Sequence, residues 1–167
     1  MLAAALLSSA KDRREHAVVA EAIRDALSPL CTRLEMPDRP ALLPLCNVQH
    51  LHTPVRGLLD GDRSALQLVA RLHPTPAVGG SPRGDALAAI RAREGMDRGW
   101  YAAPVGWLDR HGDGEFAVAL RSGLLRIGGD GAEALLFAGC GIMGDSDPAQ
   151  EYEESTLKMR ALLGALA

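Results

Sequence analysis

The chain has 167 residues, of which 47% are hydrophobic and 23% are charged, and its net charge is -3 at pH 7. This length accommodates one domain with a hydrophobic core, and the composition is typical of a globular protein rather than a disordered or fibrous one. The small negative charge, without a block of like charges, argues against nucleic acid as a partner, and no segment approaches the roughly 20 apolar residues of a membrane span.

The cysteines and the N-terminal residues provide evidence about the cellular compartment of the protein. Cys31, Cys46 and Cys140 are odd in number and lack the C-x-x-C spacing. We therefore expect reduced cysteines in a cytosolic protein, without a structural zinc site. The apolar start MLAAALLSSA has no basic region before it and continues directly into KDRREH, which favours a helix over a signal peptide.

The first predicted element is a helix from Leu2 to about Leu30. Its apolar residues recur at intervals of three and four and form one stripe, with Val18, Val19, Ala22, Ile23, Ala26 and Leu30 as its members. Glu15 lies on the same stripe, one turn before Val19. A carboxylate on the buried side of a helix is costly unless it is paired or binds a cation, so Glu15 is a candidate ligand.

The rest of the chain alternates between strands and helices. The predicted strands lie in TRLEM, LLPLCNVQHLHTPVRGLL, YAAPVGWLD, GEFAVALRSGLLRIG and ALLFAGCGI, and the predicted helices are SALQLVARLH and ALAAIRARE. We expect no regular structure in the proline- and glycine-rich HPTPAVGGSPRG, and turns at HGDG and GGDG. This order predicts a mixed α/β (α+β) fold with a largely antiparallel sheet covered by helices.

The last predicted element is an acidic helix, AQEYEESTLKM, which permits two interpretations. Asp147 and Pro148 are typical of a helix start, with Asp as N-cap and Pro at the first helical position. Glu151, Glu154 and Lys158 share one face of this helix. In one interpretation the acids are solvated and Glu154 pairs with Lys158. In the other, Glu151 and Glu154 hold a divalent cation such as Mg²⁺, which prefers carboxylate oxygens.

Seven strings taken together resemble one family. In chain order they are LLSSAKDRREH, NVQHLHT, HPTPAVGGSPR, DRGWYAAPVGW, GDGEFAVALRSGLL, AGCGIM and EYEESTLKM. They are similar to the C-terminal part of the chorismate-binding enzymes, most closely the isochorismate synthases. The resemblance implies that residues 1–167 are the C-terminal portion of a chorismate-binding domain, about half of a sandwich fold. It also implies conversion of chorismate to isochorismate, with Mg²⁺ as cofactor, for menaquinone or siderophore biosynthesis.

The resemblance also implies site residues, position by position. It implies an active-site histidine at His50, and magnesium ligands at Glu15, Glu154 and, directly or through water, Glu151. The implied substrate-binding residues are Thr53, Ala77, Gly80, Tyr101, Arg121, Gly139, Gly141 and Lys158. This set suits a dicarboxylate, because an arginine supplies a bidentate donor, Mg²⁺ neutralises a second carboxylate, and glycines let backbone N–H groups approach an anion.

Each assignment has an ordinary structural alternative. His50 and His52 alternate on a strand, where partly buried histidines are common, and Arg121 is equally typical of an ion pair on a strand face. We expect His16, His73 and His111 to be structural.

The strings do not include the family's general base and general acid, which lie in its N-terminal half. The resemblance therefore implies that this chain alone is inactive. It also implies an exposed apolar face that requires either a chain supplying that half or self-association. Two alternatives stay open: another chorismate-utilising enzyme (a salicylate, anthranilate or aminodeoxychorismate synthase), or a non-catalytic fragment that binds chorismate or a partner chain.

Overall fold

A computed structural model describes residues 6–44, 49–129 and 131–166. The chain forms two compact units, the first comprising residues 1–95 and 106–115, and the second residues 96–105 and 116–167. The helices are α1 (Ala10–Leu27), α2 (Ala65–Leu72), α3 (Pro76–Gly79), α4 (Arg83–Arg93) and α5 (Pro148–Leu166). The strands are β1 (Cys31–Glu35), β2 (Ala41–Pro44), β3 (Gln49–His52), β4 (Arg56–Leu59), β5 (Pro104–Leu108), β6 (Gly114–Val118), β7 (Ser122–Gly128) and β8 (Gly131–Phe137).

Helix α1 begins at a cap rather than continuing from the N-terminus. Ser9 has an extended backbone (φ -62°, ψ 116°), and its hydroxyl accepts a hydrogen bond from the Asp12 amide. A serine in this position satisfies an amide that has no partner within the helix. The prediction of one continuous helix is therefore wrong at Ser9, and its first residues, 2–5, lie outside the described part. At the other end, α1 stops at Leu27 and a short 3₁₀ turn follows.

Most of the predicted stripe of α1 packs, although Val18 is exposed. Val19, Ala22, Ile23 and Ala26 are half-buried, and α1 contacts α2 and α3. Glu15 is also half-buried. The first unit therefore places this carboxylate on the packed side of α1.

The strands of the first unit form two antiparallel pairs. β1 pairs with β4, and β2 pairs with β3, in which Ala41 lies opposite His52 and Pro44 opposite Gln49. The prediction of strands is confirmed for the described residues of this part, whereas residues 45–48, which include Cys46, lie outside them. His50 and His52 both lie on β3 and are exposed.

The segment predicted to be irregular, HPTPAVGGSPRG, contains regular structure. Pro76 occupies the first turn of α3, where a missing N–H costs nothing, and α4 already begins at Arg83. The glycines are required by packing: a Cβ on Gly79 would lie 2.9 Å from Pro74, and one on Gly80 (φ 70°) would lie 2.5 Å from Ala86. The prediction of no regular structure in this segment was wrong, because proline is compatible with the first turn of a helix.

The second unit is built on a hairpin. β7 and β8 pair antiparallel from Ser122 opposite Phe137 to Gly128 opposite Gly131, and α5 contacts β8. The expected single strand GEFAVALRSGLLRIG is divided into β6 and β7, because Arg121 between them has φ 50°. The predicted mixed α/β fold with antiparallel pairing is confirmed.

Few side chains are deeply buried in the part of the chain that the structure describes. Among these residues only Ala102, Gly79 and Glu151 are buried, and Ala102 is 6% exposed and Glu151 4%. Across the same ranges, no helix has both the length and the apolar character required to cross a membrane. One of the three buried residues is thus a carboxylate.

Candidate active site

The acidic helix starts as the sequence predicts. Asp147 caps α5, because its Oδ1 accepts from the Gln150 amide at 2.9 Å and its carbonyl accepts from the Glu151 amide at 3.1 Å. Pro148 is the first helical residue. This cap places Glu151 in the first turn, where the positive end of the helix dipole favours a negative charge.

The acids of α5 occupy different environments. Glu151 is buried, whereas the side chain of Glu154 is 51% exposed and forms an ion pair with Lys158 Nζ at 2.5 Å. The ion pair between Glu154 and Lys158, which the first interpretation of this helix predicts, is therefore present. It does not account for Glu151, since a buried carboxylate requires its own polar surroundings.

A glycine-containing loop lies against this helix. Lys158 Nζ donates to the Gly139 carbonyl at 3.2 Å, and the Cys140 thiol donates to the Glu151 carbonyl at 3.4 Å. We call residues 139–141 the glycine loop. The structure thus brings together Gly139, Glu151, Glu154 and Lys158, all of which the sequence assigned to the site.

Tyr101 lies next to the glycine loop. Its ring stacks on Phe137, with centroids 5.3 Å apart and planes at 17°, and the Arg98 guanidinium lies 5.7 Å from the ring centroid. A Cβ on Gly139 would lie 2.8 Å from Tyr101 Oη. The absence of a side chain at Gly139 therefore leaves room for the Tyr101 hydroxyl. This explains a glycine at position 139 without any bound anion.

Cys140 is a member of this cluster that the sequence did not assign to the site. Burial raises the pKa of the Cys140 thiol, and the side-chain hydrogen bond with Glu151 and the charges of Glu151 and Glu154 raise it further, while Lys158 opposes them. The thiol is therefore protonated at neutral pH and able to donate. The sequence contained only a weak signal for it, the position between two predicted site glycines.

Arg121 is held in an unusual backbone conformation. Its φ of 50° lies in the left-handed region, which costs a non-glycine residue on the order of 1 to 2 kcal/mol. Nearby, the backbone is fixed by hydrogen bonds from Ala102 to Ala119 and from Ala119 to Ala103. Such strain is concentrated at functional sites, so its presence at the predicted carboxylate ligand favours a functional role. The Arg121 side chain is exposed.

The first unit contains most of the other predicted residues, and one of them, Thr53, contacts a histidine that the sequence did not assign to the site. Thr53 Oγ1 lies 2.7 Å from His16 Nε2, which joins α1 to the segment after β3. Burial lowers the pKa of His16, and the electrostatic effect of the neighbouring His52 lowers it further, so the His16 ring is mainly neutral at pH 7. This pair was not predictable from the sequence, because the two residues are 37 positions apart.

The structure shows where the remaining predicted residues lie, and their roles stay predictions. Ala77 is exposed on α3, Gly80 ends that helix, and Gly141 is half-buried in the glycine loop. The assignments of Glu15 and Glu154 to one shared cation, and of His50 to catalysis, stay predictions.

The donor set of α5 fits the expected cation. Mg²⁺ usually takes only one or two protein carboxylates and keeps several waters, and Glu151 and Glu154 supply two carboxylates on one helix face. Over the ranges that the structure describes, no group of three or more His, Cys, Asp or Glu side chains is gathered as a metal site. A cation here is therefore compatible with the chemistry of the residues and stays a prediction.

Comparison with known proteins gives consistent matches along the whole sequence. The family model for chorismate binding enzyme matches residues 1–167. The salicylate-biosynthesis isochorismate synthase of Pseudomonas aeruginosa is 58% identical over 166 residues, which are 99% of this chain and 34% of that protein.

Solved structures extend the match to the fold. The menaquinone-specific isochorismate synthase of Escherichia coli superposes with a TM-score of 0.84 at 33% identity, covering 99% of this chain and 37% of that one. Anthranilate synthase component I of Streptococcus pneumoniae gives 0.81 at 28% identity, covering 95% and 36%. The chain thus spans about a third of the length of these relatives.

Proposed function

This chain belongs to the family of chorismate-binding enzymes, and from that premise we propose that it forms the C-terminal part of an isochorismate synthase. The proposed reaction adds water at C2 of chorismate with loss of the C4 hydroxyl. The observation that carries the proposal is the cluster in the second unit, where Lys158 bridges the Gly139 carbonyl and Glu154 beside the buried Glu151.

Two groups in this unit suit the substrate carboxylates. The Arg121 guanidinium is exposed on a strained turn and offers a planar pair of donors. The glycine loop presents backbone N–H groups without side chains at Gly139 and Gly141 to obstruct them. Lys158 adds a positive charge next to this loop.

We propose Glu151 and Glu154 as the contribution of α5 to a Mg²⁺ site, with Glu15 as the contribution of α1. The ion would supply a positive charge against a substrate carboxylate and polarise the adjacent oxygen. Glu154 is already neutralised by Lys158, so a bound cation would compete with the lysine for this carboxylate or share it. His50 is proposed as an active-site residue on β3.

The proposal includes a complementary part of the fold. Large apolar side chains are exposed on the β7–β8 hairpin, and Ile127 is the most exposed of them at 82%; the others are Leu124, Leu125 and Leu135. Exposed apolar surface of this extent marks an interaction surface. We propose that it is covered by the part that the relatives have and these 167 residues lack, supplied by the same or another chain, or by self-association.

The pathway and the compartment belong to the same proposal. The relatives include enzymes of salicylate and of menaquinone biosynthesis, so the product would enter siderophore or menaquinone synthesis. The three cysteines without disulfide spacing support a cytoplasmic location.

The test separates binding from turnover. The purified 167-residue chain is titrated with chorismate in the presence of Mg²⁺ by calorimetry, and isochorismate is followed by chromatography. We expect binding without turnover, and turnover after addition of the separately expressed N-terminal part of a related enzyme, because the general base and acid are expected there.

Three outcomes would contradict this proposal. Turnover by the chain alone at about 1 s⁻¹ or more would show that its own residues perform the proton transfers. A product that contains nitrogen when ammonia is added would favour an aminating synthase. Absence of chorismate binding, alone and in the mixture, would exclude the substrate.

A further inference from the structure

The glycine loop is attached to α5 at two points. The Cys140 thiol donates to the Glu151 carbonyl, and Lys158 Nζ donates to the Gly139 carbonyl. Positions 151 and 158 are seven residues apart, so they lie on the same face of α5. The Lys158 ammonium also pairs with Glu154, one turn nearer to Glu151, so the two attachments hold the adjacent loop residues Gly139 and Cys140 against neighbouring turns of α5. Two separate attachments restrain rotation of the loop as well as its translation, which one attachment would not do.

Cys140 has a special position in this arrangement. The triplet Gly139–Cys140–Gly141 contains one side chain, so any side-chain contact of the glycine loop must come from the cysteine. Glycines on both sides give the backbone more freedom than other residues would, and ordering them is correspondingly costly. A contact from the central residue offsets part of that cost.

We propose that Cys140 is a positioning residue, whose thiol holds the glycine loop in register with the carboxylates of α5. The loop amides and the carboxylates of Glu151 and Glu154 then form one rigid group, so a substrate carboxylate and a cation are placed at a constant separation. The consequence for ligands rests on the proposed function, whereas the mechanical coupling does not.

Amide hydrogen exchange followed by NMR measures the coupling directly. Three amides report on the two sides: Met143, which donates to Ser146 Oγ, and Gln150 and Glu151, which donate to Asp147. In Cys140→Ala we expect exchange to accelerate on both sides, by roughly two- to fivefold, since the hydrogen bonding of the thiol with Glu151 is lost. Cys140→Ser retains a donor with a shorter reach and should restore part of the protection.

The matched control is Cys31→Ala. Cys31 is the other free cysteine among the described residues, is also half-buried, and belongs to the first unit. Its replacement should leave exchange at Met143, Gln150 and Glu151 unchanged. Equal acceleration in both alanine variants, or acceleration confined to Met143, would overturn the proposal. If Cys140→Ala does not fold, as judged by circular dichroism, the comparison of Cys140→Ser with the unmodified chain decides the question.

Ligand affinity separates this proposal from the function on which it rests. The dissociation constants for Mg²⁺ and chorismate are measured for the unmodified chain, Cys140→Ala, Cys140→Ser and Cys31→Ala. We expect Cys140→Ala to weaken binding roughly two- to fivefold, with partial rescue by serine. Unchanged affinity and exchange in Cys140→Ala would refute the positioning role. An unmodified chain that binds neither ligand would refute the proposed function, while coupled exchange would still establish the mechanical role.

Discussion

A methyl group at Gly139 should disturb the second unit through Tyr101. In Gly139→Ala the new Cβ would lie 2.8 Å from Tyr101 Oη, which is 0.6 Å short of the 3.4 Å at which such contacts become ordinary. Gly139 does not have a positive φ, so alanine suits the backbone and the entire cost is steric. The obstacle is the end of a side chain, and the ring must therefore shift across Phe137 rather than the backbone moving.

The expected loss of stability can be worked out from the contacts that the Tyr101 ring loses when it shifts. Overpacking typically costs about 1 to 3 kcal/mol, and an aromatic pair contributes about 0.5 to 1.5 kcal/mol beyond its burial. Because the tyrosine can move, we expect Gly139→Ala to lower the free energy of unfolding by about 1 to 2 kcal/mol. The assay is urea unfolding followed by the near-ultraviolet circular dichroism of tyrosine.

The double variant Gly139→Ala/Tyr101→Phe tests the steric explanation. Removal of the hydroxyl removes the atom that the Cβ would meet, so the double variant should be more stable than the sum of the single changes predicts. Tyr101→Phe alone is the control for other losses at the hydroxyl. If the two changes add without coupling, the contact between Gly139 and Tyr101 is not the cause of the cost.

Three further predictions concern pH, a helix cap and the substrate. The pKa values of His16 and His73 are lowered, in both cases chiefly by burial. As pH falls below 6.5, the ordinary histidine pKa, the unfolded chain therefore binds more protons than the folded chain, and the free energy of unfolding should decrease. Urea unfolding at several pH values should show that this decrease is smaller in His16→Gln. Ser64→Ala removes a capping box with Gln67 and should cost about 1 kcal/mol, measured by urea unfolding. If Arg121 binds a substrate carboxylate as proposed, Arg121→Lys should weaken chorismate binding by about 1.5 to 3 kcal/mol in calorimetry, because an ammonium cannot reproduce a bidentate contact.

Each of these predictions has a matched comparison. For pH, an unchanged dependence in His16→Gln would contradict the assignment to that ring. For the cap, Thr75→Ala is the control, since Thr75 precedes α3 without a side-chain capping bond and its loss should be smaller. For Arg121, the control is Arg126→Lys, which alters an exposed arginine that pairs with Glu133 on the β7–β8 hairpin. An equal loss of binding in both variants would show that the effect is not specific to Arg121 and would contradict its role as the carboxylate ligand.

Local chemistry made several elements predictable. Asp147 and Pro148 predict the start of α5, because the cap and the missing N–H of proline both act within the first turn of the helix. The stripe of α1 was visible from its spacing, whereas the cap at Ser9 was missed because residues 6–8 before it are themselves helical. A cap inside an apolar run competes with helix continuation, and pattern alone does not decide between them.

The sequence by itself was enough to predict the family and most of the helices and strands, and to propose the candidate ligands, because these depend on residue type and spacing. It missed α3 and the division between β6 and β7. The tertiary structure decided which groups meet. It placed the Cys140 thiol on Glu151 and His16 on Thr53, and it set Tyr101 against Gly139. Contacts between residues 11 to 38 positions apart depend on how whole elements pack, and no local periodicity encodes that packing.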